Sequence, residues 1–407
     1  EGIRRLDREN PILLISDEPY HTYSRPLISY YLAGIRDEES MLYRPKDFYE
    51  THGVETMLHT KVIKVNTRHR QLVLADGRRV PYDKLLIATG GKPFVPPIEG
   101  ADQAGVYQFL KLDDAKALKA VARPGTRAVV IGGGLIGLKV AEGLVKQQVE
   151  VTVVDLAPHL LSSILDSDGA ALVQNHLERH GLTFKLGLTA RSIRSEGETK
   201  VVTLTSGEEL RADFLVIAVG VVPNKDLVEG SAIQVNRGIL TDRRLATSVP
   251  GVYAAGDVAE NYDVLLAQNR VIPILPNAYE QGLVAGINMA GGDAVYPGGF
   301  AKNAIGFLGL TLVTAGVVKG DPPAYEEFSS RPAEDQYLKV ILNDGKLVGF
   351  ARINAVDRAG ILTGLMLNRV DVSELVPQLL TPDLSLLSLP PDLWRSRLEG
   401  AVVQWSD

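Results

Sequence analysis

Gly132, Gly134 and Gly137 fall at a G-x-G-x-x-G spacing in the run Gly132-Gly133-Gly134-Leu135-Ile136-Gly137. The run follows the β-branched stretch AVVI directly and opens the helical pattern LIGLKVAEGLVKQQ. Strand, glycine turn and helix in that order make a phosphate cradle. The first glycine forms the tight turn, the second lets backbone approach a pyrophosphate, and the third lets the helix pack closely on the strand. Free N–H groups at the helix start, those of Leu135 and Ile136 among them, complete it. The next strand, VEVTVVD, ends at Asp155, whose carboxylate is placed to accept hydrogen bonds from both hydroxyls of an adenosine ribose. A 2′-phosphate would meet that negative charge, and Leu156-Ala157-Pro158 brings no arginine to offset it, so the pattern favours NADH over NADPH.

The elements around this cradle repeat a strand-turn-helix rhythm. A polar helix is predicted at about 113–122, then the strand RAVVIGGG, the helix and the strand already named, which together form a βαβ unit. After a helix ending near residue 181 come FKLG, KVVTLTS and ELRADFLVIAVG. The last of these reads as one closing strand with Val219 and Gly220 at its end. Upstream, PILLIS at 11–16 and DKLLIATGG at 83–91 read as buried strands, with VIKVN and QLVLADG forming a β-meander between them. GVYAAGD at 251–257, followed by a helix at about 276–290, shares the character of this first segment, which a domain split in sequence explains. From about 299 onward TLVTAGVV, YLKVILNDGKLVGFARI and a final helical region form a separate α+β module, with the tail LSLPPDLWRSRLEG packed on its surface. The expected fold class is α/β: two Rossmann-like dinucleotide-binding domains, each a three-layer parallel sheet with a β-meander, plus a C-terminal α+β domain.

Composition limits the functions available. A chain of 407 residues calls for two or three domains. Its 45% hydrophobic and 23% charged residues are an ordinary globular balance. A formal charge of -6 disfavours nucleic acid and anionic membranes as partners. No apolar run reaches the roughly 18 residues that a bilayer requires, so a cytoplasmic protein is expected. The chain has no cysteine, which excludes disulfides, thiolate metal sites and a dithiol relay within it. His176 and His180 stand one helical turn apart, yet no third ligand can be named, so they read as a solvated helix end and no metal is expected.

Over nearly its whole length the sequence resembles the pyridine nucleotide-disulfide oxidoreductase superfamily of flavoprotein reductases. Ala88-Thr89-Gly90-Gly91 matches the turn at which such chains leave the flavin domain, and TSVPGVYAAGD, Thr247 to Asp257, matches the second flavin motif. DEPYHTYSRPLISYYLAG at 17–34 is similar to the branch that holds rubredoxin reductases, nitrite-reductase flavin domains and ferredoxin reductases. The resemblance implies FAD and NAD as cofactors. It assigns the ribityl chain to Asp257, the adenosine ribose to Asp17 and a flavin contact to Arg25, and it places Val62, Ala88, Thr89, Gly90 and Gly256 around the same cofactor. It divides the chain into flavin-binding parts at 1–106 and 231–298, an NAD-binding domain at 107–230, and an interface domain at 299–407 that serves packing or a homodimer. The superfamily's first strand and first glycine loop are expected immediately before Glu1, the sequence being read as N-terminally incomplete.

The chemistry implied is hydride transfer from NADH to flavin, for which the protein supplies orientation and electrostatics. Without cysteine, electrons are expected to pass straight to an external acceptor, a one-electron carrier such as rubredoxin or a partner redox subunit. An NADH oxidase or a nitrite-reductase flavin component is the alternative enzyme. A nucleotide-sensing flavoprotein or scaffold is the alternative outside catalysis. Many relatives pair a lysine after the sequence PLS with a glutamate on the nicotinamide-domain helix; here those positions are Tyr30 and Lys139. Lys139 is therefore expected to supply positive charge beside the flavin while Tyr30 fills the missing lysine's space. Asn277 opens the helix whose N-terminal dipole is expected to face the flavin pyrimidine.

Overall fold

The structure is a computed structural model, and it describes residues 1–320 and 323–391. The tail LSLPPDLWRSRLEG lies outside the described residues from position 392 onward. The described residues form two compact units: Glu1–Ala157 with Gly181–Phe300, and Pro158–His180 with the described residues from Ala301 onward.

In the first unit β1 (Ile12–Ile15) and β2 (Val54–Met57) pair in parallel, with Ile12 opposite Val54, and α1 (Ile28–Leu32) and α2 (Phe48–Thr51) lie between them in sequence. The meander follows as β3 (Val62–Asn66), β4 (Gln71–Leu74) and β5 (Arg79–Pro81). The stretch 83–91, expected as one strand, stays extended in one sheet only for β6 (Leu85–Ile87). Beyond it the chain turns at Gly90, and β7 (Gly91–Pro93) joins a different sheet.

The glycine-loop region opens with β8 (Val106–Tyr107) and α3 (Leu112–Val121), followed by β9 (Arg127–Ile131), α4 (Leu135–Lys146) and β10 (Glu150–Asp155). Helix α5 (Ser167–Arg179) belongs to the second unit. The chain returns through β11 (Thr183–Leu186), then β12 (Ala190–Glu196), β13 (Thr199–Leu204), β14 (Glu209–Ala212) and β15 (Phe214–Ile217). ELRADFLVIAVG is two strands rather than the single closing strand expected from sequence. β14 runs antiparallel to β13, whereas β15 runs parallel to β9. The break is Asp213, whose carboxylate and N–H both bond the Arg127 backbone, at 2.7 and 2.8 Å, and so turn the chain from one sheet into the other. The resulting parallel sheet has the order β11-β10-β9-β15-β8. Ala128 to Ile131 and all of β15 are buried, as central parallel strands covered on both faces must be.

The unit closes with β16 (Val221–Pro223), β17 (Ile239–Leu240), β18 (Val252–Ala254), the hairpin β19 (Ala259–Asp263) and β20 (Gln268–Arg270), and α6 (Leu275–Met289). β18 pairs in parallel with β6, with Ala254 opposite Ile87, so segments far apart in sequence share one sheet and one core with Val65 and Leu72 of the meander.

The second unit sets β21 (Lys302–Phe307), β22 (Leu310–Gly316), β23 (Glu326–Ser330), β24 (Tyr337–Asn343) and β25 (Lys346–Ile353) in one antiparallel sheet, order β21-β22-β25-β24-β23. After it come α7 (Ala359–Leu367) and α8 (Val376–Leu379). Within this unit Lys339, 4% exposed, bonds Asp166 and Glu327 at 2.7 Å each, and Tyr337 donates to Asp166 at 2.6 Å. Asp166 also caps α5 by accepting the Gly169 N–H. His176 and His180 stack at 4.4 Å between ring centroids, and His176 Nε2 meets the Leu308 carbonyl. Among the described residues no helix is long and apolar enough to cross a membrane, and no group of three or more His, Cys, Asp or Glu could hold a metal ion.

Candidate functional site

The three motif glycines meet three different physical demands. Gly132 has φ +118°, and a Cβ there would lie 2.4 Å from the Ala218 carbonyl oxygen, so the turn is open only to glycine. At Gly137 a Cβ would stand 1.9 Å from the Gly132 carbonyl oxygen, which leaves no atom's width between α4 and the turn beneath it. At Gly134 a Cβ would meet nothing within 4 Å. The protein does not fill that space, and it lies at the N-cap of α4, where helix N–H groups are without intrahelical partners. An anion that needs close backbone approach fits there. Asp155, at the end of β10, accepts from the Gly133 N–H and, at 2.7 Å, from the Ala157 N–H. One oxygen is used by each, and each keeps a lone pair for a ribose hydroxyl.

A second set of residues gathers where β6 and β18 run side by side. Ala88, Thr89 and Gly90 follow one strand, and Ala255, Gly256 and Asp257 follow its neighbour. Gly256 takes φ +78°, and its N–H donates at 2.8 Å to Oε1 of Gln281 on α6, which holds the turn that presents Asp257. Thr89 Oγ1 donates to the Asn224 carbonyl at 2.6 Å, and β7 pairs with β16 beside it. The two strands that cross between the glycine-loop region and the rest of the unit are thereby clamped together. Val219 is partly exposed at this crossing, and the Gly220 carbonyl accepts the Phe94 N–H at 3.0 Å.

The matched family is described as "Pyridine nucleotide-disulphide oxidoreductase", and its model covers residues 2–282. The chain belongs to this family. It is similar to the nitrite reductase [NAD(P)H] of Bacillus subtilis (strain 168), 32% identical over 92% of this chain and 47% of that protein. Subunit epsilon of the NADH-dependent phenylglyoxylate dehydrogenase of Aromatoleum evansii is also 32% identical, over 92% of this chain and 89% of that protein. Among solved structures, the covalent putidaredoxin reductase–putidaredoxin complex matches with a TM-score of 0.82 and 25% identity over 91% of this chain and 90% of that one. The chain spans about half the length of the first curated relatives that it matches. FAD and NAD(H) are the cofactor and substrate of the family, whose members are FAD-dependent NAD(P)H oxidoreductases.

The residues present fit FAD on one independent observation. Among the described residues the Asp257 carboxylate has no hydrogen-bond donor, and burial pushes its pKa above the usual carboxylate value against the pull of Arg25. A part-buried acceptor of this kind suits a polyhydroxyl chain such as the ribityl group. Arg25 is brought within electrostatic reach of Asp257 and is ion-paired to Glu18. Asp17, its side chain 49% exposed, pairs with Lys111 at 2.7 Å. Val62 sits on the meander opposite Leu74 and packs against the buried core. Asn277, 3% exposed, turns its amide inward against Gly299, and the residue beside Gly256 is its neighbour Ala278.

Lys139 is 13% exposed on α4 and is ion-paired to Glu142, which Lys146 also reaches at 3.0 Å. The Lys139 ammonium lies 4.6 Å from the centroid of the Tyr30 ring. This meeting is possible because a glycine stands at position 143, where even a methyl group would crowd Leu32 and the Ser29 carbonyl across the α1–α4 contact. Two residues of consequence escape sequence reasoning. Glu18, 6% exposed, is the acid that holds Arg25, and only its burial separates it from the exposed Asp17 beside it. Gln281 could have been found as a polar residue one helical turn beyond Asn277 on the inward face of α6.

Proposed function

We propose that this chain oxidises NADH and passes the electrons, through FAD, to an external one-electron carrier such as rubredoxin or to a redox centre on a partner subunit. The observation that carries the reading is the α1–α4 contact. The helix that begins with the open cradle at Gly134 is packed directly on the helix that continues from Arg25, whose charge reaches Asp257. Residues 107–230 would then be the NAD-binding part, 1–106 and 231–298 the flavin-binding parts, and 299–407 an interface module that packs or dimerises.

In this reading the N–H groups of Leu135 and Ile136 hold the NADH pyrophosphate and Asp155 orients the adenosine ribose, with Val219 and Gly220 beside the bound nucleotide. Asp17, Arg25, Val62, Thr89, Gly256 and Asp257 hold FAD. When bound, FAD supplies the capacity to take a hydride and to release electrons one at a time. Lys139 keeps a positive charge on the Tyr30 face of α1, in a setting that shields it from water. The chain has no cysteine with which to store electrons itself, which favours direct delivery to an acceptor. The putidaredoxin reductase relative forms a complex with putidaredoxin, a precedent for protein-to-protein delivery.

The purified protein with FAD should be yellow, bleach on anaerobic addition of NADH, and recover its colour when oxidised rubredoxin or ferredoxin is added. Failure to bleach would refute the reading. Recovery with oxygen alone as fast as with any carrier would favour an NADH oxidase.

A further inference from the structure

The segment 17–25 carries Asp17 and Arg25 but forms no helix or sheet strand of its own before residue 25, apart from one bridge between Tyr23 and Leu42. Its shape must come from contacts made elsewhere. These converge on one atom, the Tyr23 hydroxyl, which donates to Glu18 Oε2 at 2.6 Å and accepts from Arg25 Nη1 at 3.1 Å and from the Leu112 N–H at 3.0 Å. A phenol has one proton to give and two lone pairs to fill, so these three partners saturate it. Burial raises the Tyr23 pKa, with the Glu18 carboxylate adding to the effect, so the proton stays available for donation at neutral pH.

Each partner matters to the site. Leu112 is the first residue of α3, and its N–H has no intrahelical acceptor, so Tyr23 supplies the helix with a cap from outside. Glu18 binds Arg25 Nη2, Arg25 Nη1 also reaches the Leu110 carbonyl at 3.3 Å, and the guanidinium carbon lies 5.2 Å from the Tyr23 ring centroid. The guanidinium is thus held on two edges and one face. More exposed links tie the same two segments together: Lys111 with Asp17, Tyr20 with Asp113, and Lys116 with the Tyr20 hydroxyl at 3.2 Å. Pairs of that kind contribute little singly. The partly buried Tyr23 hydroxyl is the junction whose loss releases three groups at once.

We propose that Tyr23 is a positioning residue for flavin: its hydroxyl, with Glu18 and the Leu110 carbonyl, fixes the Arg25 guanidinium and fastens the flavin-side segment to the start of α3. The proposal rests on the reading that Arg25 holds FAD. Tyr23→Phe removes one oxygen and keeps the ring, so packing is conserved while Arg25 loses one anchor and Glu18 loses its neutral donor.

The test is FAD dissociation from the full chain, followed by flavin fluorescence, in the parent, Tyr23→Phe, Arg25→Gln and the double variant. Tyr23→Phe should raise the FAD Kd about tenfold, the scale of a lost hydrogen bond to a charged group. In the Arg25→Gln background the same change should add less than about twofold, because the group that Tyr23 positions is already gone. A purely structural tyrosine would weaken binding equally in both backgrounds, which would overturn the proposal, as would an FAD Kd for Tyr23→Phe within twofold of the parent. An unchanged FAD Kd in Arg25→Gln would instead sink the reading that Arg25 holds FAD. Should Tyr23→Phe fail to fold, Glu18→Gln serves in its place, since it loosens the other anchor of Arg25. The same non-additive loss is expected, and an additive one refutes the proposal.

Discussion

Gly134→Ala and Gly137→Ala add the same methyl group three residues apart, and the structure assigns them opposite consequences. At Gly134 the backbone is extended, φ −83° and ψ −172°, which alanine adopts without strain, and the new Cβ meets nothing within 4 Å. The loss of a good N-cap, a few tenths to about 1 kcal/mol, is offset by a gain of about 0.4–1 kcal/mol from the stiffer unfolded chain, so stability should hold within about 0.5 kcal/mol. The methyl does occupy the space that the proposed site gives to a pyrophosphate. Losing one or two charge-assisted hydrogen bonds there, about 1.5–3 kcal/mol, corresponds to a rise of roughly 10- to 100-fold in the NADH Kd. At Gly137 the Cβ would lie 1.9 Å from the Gly132 oxygen, a backbone atom that cannot swing aside. Relief requires α4 to move by roughly an ångström in a close-packed interior, at a cost of about 1–3 kcal/mol or more. Thermal denaturation and isothermal titration with NADH on the two variants separate these outcomes. A Gly134→Ala protein that loses as much stability as Gly137→Ala, or that binds NADH within twofold of the parent, would refute the assignment of that space to the nucleotide.

Other consequences can be checked singly. Burial raises the folded pKa of Asp257 above its usual 3.8, so its contribution to stability is present below that pH and is lost as pH rises through the folded value. Asp257→Asn should therefore raise the melting point of the FAD-free protein at pH 7, show no such gain near pH 3, and weaken FAD retention; a lower melting point at pH 7 would contradict this. Lys139→Met should slow flavin reduction by NADH about tenfold or more in stopped-flow absorbance while leaving the NADH Kd unchanged, and a parental rate would remove Lys139 from the chemistry. Lys339→Met leaves the partly exposed Asp166 and Glu327 without their shared cation and should destabilise the second unit by about 1.5–3 kcal/mol. The pKa values of both carboxylates are held below their usual 3.8 and 4.5, so their stabilisation is present above those pH values and is lost as pH falls through the lower folded ones. The gap between parent and Lys339→Met in thermal midpoint should accordingly close in acid, and a gap that persists at pH 2 would refute the pairing.

The glycine loop was legible because its demands are local. A turn, a helix start and an acid at the next strand end lie within two dozen residues, and each imposes its own residue type. Strands β9, β10 and β15 announced themselves by β-branched runs, as buried parallel strands do. The hairpin of β19 and β20, with buried Glu260 and Asn261, has no such run and was not legible. The break at Asp213 also went unseen, because it depends on the backbone of Arg127 far away in sequence.

The sequence by itself determined the glycine turn between β9 and α4, the alternation of strand and helix around it, and the absence of cysteine from this chain. Only the tertiary structure decided which neighbouring acid, Asp17 or Glu18, is the buried partner of Arg25, and that Tyr23, Lys139 and Gln281 meet Leu112, Tyr30 and Gly256, all remote in the chain. The physical reason is range. Backbone conformation and strand periodicity are set by a few adjacent residues. The direction in which a charge or hydroxyl is held depends on which distant helix start, carbonyl or ring the folded chain brings within about 3 Å of it.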